Sequence, residues 1–434
     1  MINKKIVVID GCRTPFLRSG TDYMDLMSYE LGQFAIKGLL DKTGIDPKEI
    51  DTVVMGTVIG NIKTSNVARE AAVTAGILEK TPCHTVTQAC ISANRAIASA
   101  IGEIALGQAE VAIAGGTDNT SDTPIGFSKQ MRKKLFKAQK LKTLVDNLKF
   151  ATTLRPKDFM PEKPQVAEFI TNRTMGQDCE ILTAKYKVGR KEQDEFSVRS
   201  HQLAAKAIED GHLAKEMTEV SFPPKFKAVR DDNGVRGDST VAKISKLRPA
   251  FDRKNGTLTA ANSSFLTDGA AAVLLMTEEK AKALGLTPKV EIVDFVFTGQ
   301  RIEDELLLGP TYATSKLLKK TGFSLEDMDV IEFHEAFAGQ ILANLKCLAS
   351  DEFAKENLGR DEAVGVVDME KFNLWGGSLS LGHPFGATGA RLVTTAANRL
   401  IHEKGTYALI AACAAGAHGH AMILKRYEAE YKTS

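Results

Sequence analysis

The fold of this chain is decided by residues 85–116, which read TVTQACISANRAIASAIGEIALGQAEVAIAGG. The β-branched beginning, Thr85–Gln88, predicts a strand, and Ser92–Leu106 predicts a helix because its isoleucines recur on one stripe. A second β-rich run, Val111–Ala114, follows and ends in two glycines. A strand, a helix and a strand in this order predict a layered α/β domain.

The same alternation continues on both sides of this unit. We expect further strands at Ile6–Asp10, Thr52–Met55, Val330–Phe333 and Tyr407–Ala412, and further helices at Tyr29–Gly44, Ser65–Ala75, Ala338–Cys347 and Gly389–Leu400. The residues before Gly115 and those before Cys413 both run helix, glycine turn, strand and small residues. We interpret this likeness as a pseudo-duplication of one α/β unit.

A region of different character, residues 121–246, lies between the two halves and carries most of the charge runs and irregular segments. A domain inserted over an active site has this character. We therefore predict an N-terminal half over residues 1–120, completed by about 247–277, an inserted loop domain over 121–246 and a C-terminal half over 278–434.

The insert is predicted to contain a basic helix over residues 129–149. Apolar residues recur there at helical spacing, and lysines and arginines surround them. The apolar members are Met131, Leu135, Ala138, Leu141, Val145 and Leu148. Two interpretations stay open: a helix packed on its own domain with a solvated basic face, or a docking surface for anionic lipid, a partner subunit or the phosphates of a ligand.

Composition excludes several classes of protein. The apolar share of 43% and the charged share of 25% are those of an ordinary globular protein. A net charge of +2 gives no strong attraction to nucleic acid, and no apolar run is long enough to cross a bilayer. Because no signal peptide or Arg-rich presequence precedes Ile6, we expect a cytoplasmic protein or a mature form. The membrane surface is a second location if the basic helix docks on lipid.

Cys90 is the cysteine with the clearest chemical setting. The six cysteines are widely spaced, without the pattern of a disulfide framework or a zinc site. Cys90 lies at a predicted strand-to-helix junction, TQACISA (residues 87–93), where free N–H groups and the helix dipole favour a thiolate. We predict that it is a nucleophile; the alternative is a buried structural cysteine.

Two histidines stand in motifs that suit proton transfer or ligand contact. His383 lies in GHPFGATG (residues 382–389), where a tight turn could hold a neutral imidazole ready to accept a thiol proton; helix capping is the alternative. His334 opens HEAFA (residues 334–338) directly after a predicted strand, a place from which side chains of α/β folds reach a ligand.

Cys413 begins a run of small residues, CAAGAHG (residues 413–419), after a predicted strand. Such a run lets main-chain N–H groups point into a cavity, as an oxyanion hole requires, although tight packing is the commoner reason for it. Cys413, His418 and His420 could also suggest a metal site, but no carboxylate or further cysteine completes the ligand set. We therefore expect no metal.

Taken together, these motifs resemble the thiolase family along essentially the whole chain. The order of the Cys90 segment, the Gly-His-Pro element at His383 and the late Cys413 carries the likeness. Further matching segments are Gly115-Gly116-Thr117, Asn262-Ser263-Ser264, Asp268-Gly269-Ala270-Ala271 and His334-Glu335-Ala336-Phe337. The sequence is most similar to the branch that forms the thiolase (β) subunit of the fatty-acid β-oxidation trifunctional complex, because His334 stands where many thiolases carry asparagine.

The resemblance implies a duplicated, layered α/β/α/β/α fold and a 3-ketoacyl-CoA thiolase activity. In thiolases the cysteine matching Cys90 attacks the 3-keto carbonyl and becomes an acyl thioester, while the histidine matching His383 takes the thiol proton. The residue matching Cys413 protonates the acetyl-CoA enolate and then deprotonates the incoming CoA. His334 is implied in one oxyanion hole, and the backbone N–H of Ala415 with that of Cys90 in a second.

The resemblance also implies the ligands and partners. Acyl-CoA and CoA are substrates, with Ser264 near the pantetheine, and no cofactor is bound permanently. Thiolases are usually homodimers, and this branch also binds an α subunit with hydratase and dehydrogenase activities, in a heterotetramer. We expect no nucleic-acid partner, and a peripheral membrane contact is one interpretation of the basic helix.

Three other functions compete with this one. A biosynthetic acetyl-CoA C-acetyltransferase, which makes acetoacetyl-CoA, has the same catalytic set, and a comparison of short and long substrates separates it. A ketoacyl synthase uses one cysteine with two histidines, whereas this chain also carries Cys413. A non-catalytic acyl-CoA binding protein would lack the nucleophile or the base, and both are present here.

Overall fold

The computed structural model describes residues 4–162 and 167–428 of the chain. Its strands are β1 Ile6–Arg13, β2 Leu17–Arg18, β3 Thr52–Gly56, β4 Cys83–Val86, β5 Val111–Asp118, β6 Gly126–Phe127, β7 Pro161–Glu162, β8 Thr267–Thr277, β9 Val290–Gly299, β10 Val330–Phe333, β11 Tyr407–Ala414 and β12 His418–Arg426. Its helices are α1 Ser28–Thr43, α2 Val67–Thr74, α3 Ser92–Ala105, α4 Lys129–Ala138, α5 Leu144–Ala151, α6 Met175–Lys185, α7 Arg190–Glu209, α8 Val241–Ile244, α9 Glu278–Ala283, α10 Gly309–Thr321, α11 Ala338–Leu348, α12 Asp351–Phe353, α13 Ser378–Leu381 and α14 Thr388–His402. The predicted domain ends at residues 1 and 434 lie outside the described residues.

The main sheet has two halves that repeat each other. Its strand order is β10-β11-β12-β9-β1-β8-β5-β3-β4, and β2 adds to β8. Outward from β1, the strands β8, β5 and β3 follow as antiparallel, antiparallel and parallel pairs. Outward from β9, the strands β12, β11 and β10 follow in the same way. The predicted pseudo-duplication is therefore visible as a repeat of strand directions.

Helices cover the two half-sheets in layers. α3 and α14 pack against each other between the halves, and the inward faces of both halves join them in one apolar core. α1 and α2 cover the outer face of the N-terminal half, and α10 and α11 cover the outer face of the C-terminal half. The predicted α/β/α/β/α layering is confirmed.

The central helix layer is held by apolar burial and by one close approach. The predicted stripe of α3, Ile97, Ile101 and Ile104, is at most 2% exposed, and burial of one such side chain contributes about 1.5–3 kcal/mol. The two helices touch at their first turns, where Gly389 of α14 lies against Asn94 of α3. A Cβ at residue 389 would collide with the Asn94 side chain and push the helix ends apart.

One strand is shifted from its prediction. β4 spans Cys83–Val86 rather than Thr85–Gln88. The chain leaves the sheet after β4 and turns at Ala89, whose φ is +45°. The β-branched residue Thr87 continues the β-rich pattern past the end of the strand. The sequence pattern therefore does not indicate this turn.

The segment between β5 and β8 adds no strand to the main sheet within residues 4–162 and 167–428. Its strand β6 pairs with β7, and its helices α6 and α7 pack on α11 of the C-terminal half. The chain returns to the main sheet at Thr267, where β8 begins. The predicted domain limits at residues 120, 246 and 277 stay a prediction.

The predicted basic helix over residues 129–149 is wrong as a single helix. The structure has α4 up to Ala138 and α5 from Leu144, with a short connection between them. Thr143 Oγ1 accepts from the Asp146 N–H at 3.1 Å and donates to the Asp146 carboxylate at 2.6 Å. Thr143 therefore caps a new helix, an internal boundary that helical periodicity alone does not reveal.

Most apolar side chains of α4 and α5 face solvent rather than the protein. Met131 is buried, but Leu135, Val145 and Leu148 are 38%, 58% and 63% exposed. The interpretation of a helix packed on its own domain is therefore wrong for this apolar face. Within the part of the chain that the structure describes, no helix is both long and apolar enough to cross a membrane.

Candidate active site

Cys90 lies in a strained turn between β4 and α3. Ala89 has a φ of +45°, in the left-handed region that non-glycine residues rarely adopt. The hydroxyl of Ser92 closes the turn, since it donates to the Ala89 C=O at 2.7 Å and accepts from the Gln88 N–H at 2.8 Å. Such strain costs about 1–3 kcal/mol and is common at functional sites. The turn holds Cys90 half-buried, just before the first turn of α3.

His383 lies in a turn made by the glycines of its motif. Gly382 has a φ of +101°, and the His383 N–H donates to Thr267 Oγ1 at 3.0 Å. The His383 Nδ1 lies 2.6 Å from Thr388 Oγ1, whose own proton goes to the Pro384 C=O at 3.1 Å. Thr388 therefore accepts from Nδ1–H, and the lone pair of the His383 ring is left on Nε2.

Three of the predicted residues meet in one pocket although they are far apart along the chain. The Sγ of Cys90, one ring nitrogen of His334 and one ring nitrogen of His383 lie within 4.8 Å of one another. The two imidazole rings are 4.0 Å apart between their centroids. Both Nε2 atoms are buried without a hydrogen-bond partner among the described residues, so both are free to meet a substrate.

Cys413 lies beside Cys90, near the end of β11, and is 1% exposed. Burial raises the pKa of the Cys413 thiol well above its ordinary value, and the neighbouring Cys90 raises it further. Because such an electrostatic influence falls off with distance, the two sulfurs belong to one site. A thiol with so high a pKa stays protonated and can act as an acid toward a stronger base.

Two effects oppose each other at the Cys90 thiol, since the helix N-terminus favours a thiolate and burial favours the neutral form. Burial raises the pKa of Cys90 to about 11, the N–H groups of Ala415 and of Cys90 itself act against this, and the charge of Asp118 adds to it. Burial therefore outweighs the N–H groups. Burial, followed by the charge of Arg391, lowers the pKa of His383 to about 3. Cys90 and His383 are both neutral before a substrate binds.

Two main-chain N–H groups face the Cys90 sulfur. They belong to Cys90 and Ala415, and both act on the thiol as hydrogen-bond donors. The chain turns after Ala415, at Gly416 and Ala417, with φ of +79° and +56°. The carboxylate of Glu168 accepts from the Gly416 N–H at 2.8 Å and holds this turn. Ala415 itself is not in the left-handed region, so its Cβ causes no strain there.

Asp118 organises the site, and sequence reasoning missed it. Its carboxylate, buried at the end of β5, accepts from the N–H groups of Ile59 at 2.8 Å and Gly386 at 2.6 Å and from Thr57 Oγ1 at 3.0 Å. Asp118 thereby ties the loop after β3 to the loop that carries His383. The signal was present in the sequence, because this carboxylate follows the glycine pair of β5 by two residues.

A cavity of about 610 Å³ opens beside Ala415. Its wall includes the apolar side chains of Val58, Ile125, Met175 and Phe385. Two of these, Ile125 and Met175, come from the segment between β5 and β8. The volume is in the range of small-molecule sites, and the apolar part of the wall suits an acyl chain.

A second cavity is basic. Its volume is about 250 Å³, and its lining includes Arg18, Arg236 and Phe265. The Arg18 guanidinium lies 3.9 Å from the centroid of the Phe265 ring. The half-buried Ser264 precedes Phe265, and Leu266 after it lines the first cavity, so this short segment connects the two. Two guanidinium groups make the second cavity suitable for a phosphate group.

The structure thus gathers most of the predicted site residues. Cys90, His334 and His383 lie within 4.8 Å of one another, Cys413 is near enough for Cys90 to raise its pKa, and the Ala415 N–H acts on the Cys90 thiol. Ser264 lies in the short segment whose Phe265 and Leu266 line the two cavities, and its N–H donates to the Ala336 C=O at 2.9 Å.

Known proteins similar to this chain share one family. Residues 6–279 match the family model of the thiolase N-terminal domain, and residues 286–426 match that of the thiolase C-terminal domain. The chain is 53% identical over 424 residues to the mitochondrial trifunctional enzyme subunit beta of Rattus norvegicus, which covers 98% of this chain and 89% of that protein. It is 49% identical over 422 residues to a probable 3-ketoacyl-CoA thiolase of Caenorhabditis elegans, with 97% and 94% covered. The crystal structure of human mitochondrial 3-ketoacyl-CoA thiolase in complex with CoA matches with a TM-score of 0.82 at 28% identity, over 98% of both chains.

Proposed function

This chain belongs to the thiolase family, and we propose from that premise that it is a 3-ketoacyl-CoA thiolase of fatty-acid β-oxidation. It is an acyltransferase that cleaves 3-ketoacyl-CoA with CoA into acetyl-CoA and a shortened acyl-CoA. One observation carries the proposal: the Cys90 sulfur and ring nitrogens of His334 and His383 lie within 4.8 Å of one another.

In the first step, the Cys90 sulfur attacks the 3-keto carbonyl carbon of the substrate. The thiol proton passes to Nε2 of His383, which is free because Nδ1–H donates to Thr388. Since the pKa of Cys90 is about 11 and that of His383 about 3 in the empty site, the proton transfer must accompany the attack. The oxyanion formed from the keto oxygen accepts from the N–H groups of Cys90 and Ala415.

In the second step, the bond between the α- and β-carbons of the substrate breaks. Its electron pair becomes the enolate of acetyl-CoA, while the carbonyl re-forms as a thioester on Cys90. Cys413, whose thiol burial keeps protonated until then, gives its proton to the enolate carbon and becomes a thiolate. The enolate oxygen lies at the imidazoles of His334 and His383. Acetyl-CoA then leaves.

In the third step, CoA removes the acyl group from the enzyme. The Cys413 thiolate takes the proton of the CoA thiol, and the CoA sulfur attacks the thioester carbonyl on Cys90. The tetrahedral intermediate collapses, the Cys90 sulfur leaves, and it takes back its proton from the His383 imidazolium. Every group then has its starting protonation again, as a catalytic cycle requires.

A trapping experiment tests the nucleophile. Incubation with a 3-ketoacyl-CoA in the absence of CoA, followed by acid quench and peptide mass spectrometry, is expected to show an acyl group on Cys90. The Cys90→Ala variant is expected to carry none. Cys83→Ala is the matched control, since Cys83 is a half-buried cysteine outside the pocket. Acylation of another cysteine, or acylation that survives in Cys90→Ala, would contradict the proposal.

The basic cavity is the proposed site for the nucleotide part of CoA, with the pantetheine running along Ser264 toward Cys90. Arg236→Ala removes one guanidinium, and the loss of a charge-assisted hydrogen bond is expected to raise the KM for CoA about 10-fold or more with little change in kcat. Arg230→Ala is the control, because Arg230 is exposed and paired with Glu219. An unchanged KM in Arg236→Ala would move the CoA site elsewhere.

The alternative function is a biosynthetic acetyl-CoA C-acetyltransferase. The catalytic groups would be the same in both enzymes. The cavity of about 610 Å³ beside Ala415, here called the acyl cavity, therefore distinguishes the two functions. A volume of about 610 Å³ with an apolar wall supports chains longer than acetoacetyl. We expect a higher kcat/KM for 3-ketohexadecanoyl-CoA than for acetoacetyl-CoA, and a strong preference for the four-carbon substrate would favour the alternative.

The partners proposed are a second copy of this chain and an α subunit. β4 is the last strand at one end of the main sheet, and its residues are half-buried. Because an open edge invites pairing, we place the homodimer contact there. The similarity to the rat trifunctional enzyme subunit beta supports a heterotetramer with an α subunit. Light scattering with and without that subunit is the test; a fully active monomer would contradict the dimer.

A membrane contact is proposed for the α4–α5 surface, meaning the exposed side chains of Lys129–Ala138 and Leu144–Ala151. Phe136 and Leu144 are 68% and 79% exposed, and lysines and an arginine surround them. We expect salt-sensitive co-sedimentation with phosphatidylglycerol vesicles. A Phe136→Ser/Leu144→Ser variant should lose it, whereas Leu106→Ser, at a residue 76% exposed elsewhere, should not. Equal binding of the wild type and both variants would refute the contact. The cytoplasmic location stays a prediction.

A further inference from the structure

Two imidazoles face the same reacting sulfur, and the chemistry needs them to differ. His334 and His383 are both buried, with ring centroids 4.0 Å apart and with free Nε2 atoms. His383 must offer a lone pair to the Cys90 proton. A second lone pair from His334 would repel an enolate oxygen, whereas an N–H there would stabilise it. The tautomer of each ring is therefore a functional property.

Thr388 fixes the tautomer of His383. Its hydroxyl donates to the Pro384 C=O, so the oxygen can only accept from Nδ1–H of His383. A different arrangement surrounds His334. Its Nδ1 lies 2.9 Å from Ser378 Oγ, and Ser378 Oγ also accepts from Arg391 Nη2 at 3.2 Å.

The hydrogen bonds of Ser378 have only one consistent direction. A guanidinium cannot accept, so the Ser378 proton cannot point to Arg391. His334 Nδ1 is the acceptor within its reach among the described residues. The hydroxyl therefore donates to Nδ1, and the ring proton of a neutral His334 must lie on Nε2. The ring is neutral because burial, followed by His383 and Arg391, lowers the pKa of His334 well below its ordinary value.

We propose that Ser378, held by Arg391, is a positioning residue that keeps His334 in the Nε2–H form, so that His334 donates directly to the thioester oxygen of the substrate. His383 is held in the opposite form and serves as the base. The inference rests on the proposed thiolase function, because it assigns the enolate oxygen to this place. Ser378 touches neither substrate nor sulfur, and it acts through His334.

Arg391 lies between Ser378 and the buried carboxylate of Glu332. It is fully buried on α14, and its Nη1 lies 3.8 Å from Glu332 Oε2. The other oxygen of Glu332 accepts from Arg399 at 2.7 Å. The charge of Glu332 therefore lies behind Arg391, and Arg391 has Ser378 as its hydrogen-bond acceptor on the side of the histidines.

The direct test is the tautomer of His334 in the wild-type protein. Long-range proton–nitrogen NMR correlations on a sample with nitrogen-15 histidine distinguish Nδ1–H from Nε2–H, and His334→Asn identifies the signal by its loss. We expect Nε2–H for His334 and Nδ1–H for His383. An Nδ1–H signal for His334 would overturn the proposal. This readout needs no catalysis, so it stays informative even if the proposed reaction is wrong.

The kinetic test is a double-mutant cycle. Ser378→Ala should lower kcat about 10- to 100-fold with little change in KM, which is less than the order of 10²–10³ expected when His334→Ala removes the donor outright. In the His334→Ala background, Ser378→Ala should cause no further loss. Ser380→Ala is the control, a buried serine of the same short helix that bonds Ser200 instead. A loss from Ser378→Ala that is equal in both backgrounds would mean a merely structural role and would overturn the proposal.

Discussion

Replacement of Thr388 by valine is expected to slow the acylation of Cys90 sharply without unfolding the protein. In the wild type, His383 Nδ1–H donates to Thr388 Oγ1 at 2.6 Å. Valine has nearly the same shape but cannot accept, so the N–H would be buried without a partner at a cost of about 1–3 kcal/mol. The ring can escape this cost by moving its proton to Nε2, but that form has no lone pair for the Cys90 proton. A free-energy difference of about 1.36 kcal/mol corresponds to a tenfold change in population. The form of His383 that carries its proton on Nδ1 and can act as the base therefore becomes about 5- to 160-fold rarer.

The assay is the single-turnover rate of acyl-Cys90 formation, measured by rapid acid quench and mass spectrometry. Thr388→Ser keeps the acceptor and should retain most of the rate. Thr394→Val is the matched control: Thr394 is a buried threonine of the same helix, whose hydroxyl donates to the Ala390 C=O at 2.9 Å. An acylation rate in Thr388→Val within about twofold of the wild type would refute the tautomer argument, since it corresponds to less than about 0.5 kcal/mol.

Three further outcomes are expected. The rate of Cys90 alkylation by iodoacetamide should rise steadily between pH 7 and 9. Burial raises the pKa of Cys90 to about 11, and the fraction of reactive thiolate increases as the pH approaches that pKa. A rate that reaches a plateau near neutral pH would contradict this. Ala415→Pro should lower kcat by a factor on the order of 10²–10³ because proline has no N–H to donate, while Ala415→Gly, which keeps the N–H, should retain most activity. Ile97→Ala should lower the free energy of unfolding by about 2–5 kcal/mol in urea denaturation. Leu106→Ala, at a residue 76% exposed at the C-terminal end of α3, should change it by less than about 0.5 kcal/mol.

Local signals in the sequence predicted the local structure well. The isoleucine stripe of α3 predicted its buried face and its limits to within one residue. The helix predicted over Tyr29–Gly44 ends one residue earlier, because Gly44 is in the left-handed region and caps α1. The single basic helix was wrong because Thr143 and Asp146 form a cap inside an unbroken apolar period. A competing local signal outweighed the periodicity there.

The site was less accessible to local reasoning. No periodicity places residue 334 next to residue 383 or either next to residue 90, and only the family resemblance brought them together before the structure did. The charge state of Cys90 depends on groups distant in sequence. A helix N-terminus favours a thiolate, whereas burial raises the pKa of Cys90 to about 11. Asp118 shows the same limit, since its partners come from two loops that are far apart along the chain.

The contact of Gly389 with Asn94 has a consequence for engineering. The nucleophile precedes one of the two touching helices and the base precedes the other, so their spacing is set in the innermost layer of the molecule. The excursion between β5 and β8 supplies Ile125 and Met175 to the acyl cavity, and its helices pack on α11 of the C-terminal half. Transplanting that excursion from a relative would retune which acyl tails are admitted, provided that the new segment keeps the carboxylate of Glu168, which holds the turn at Gly416.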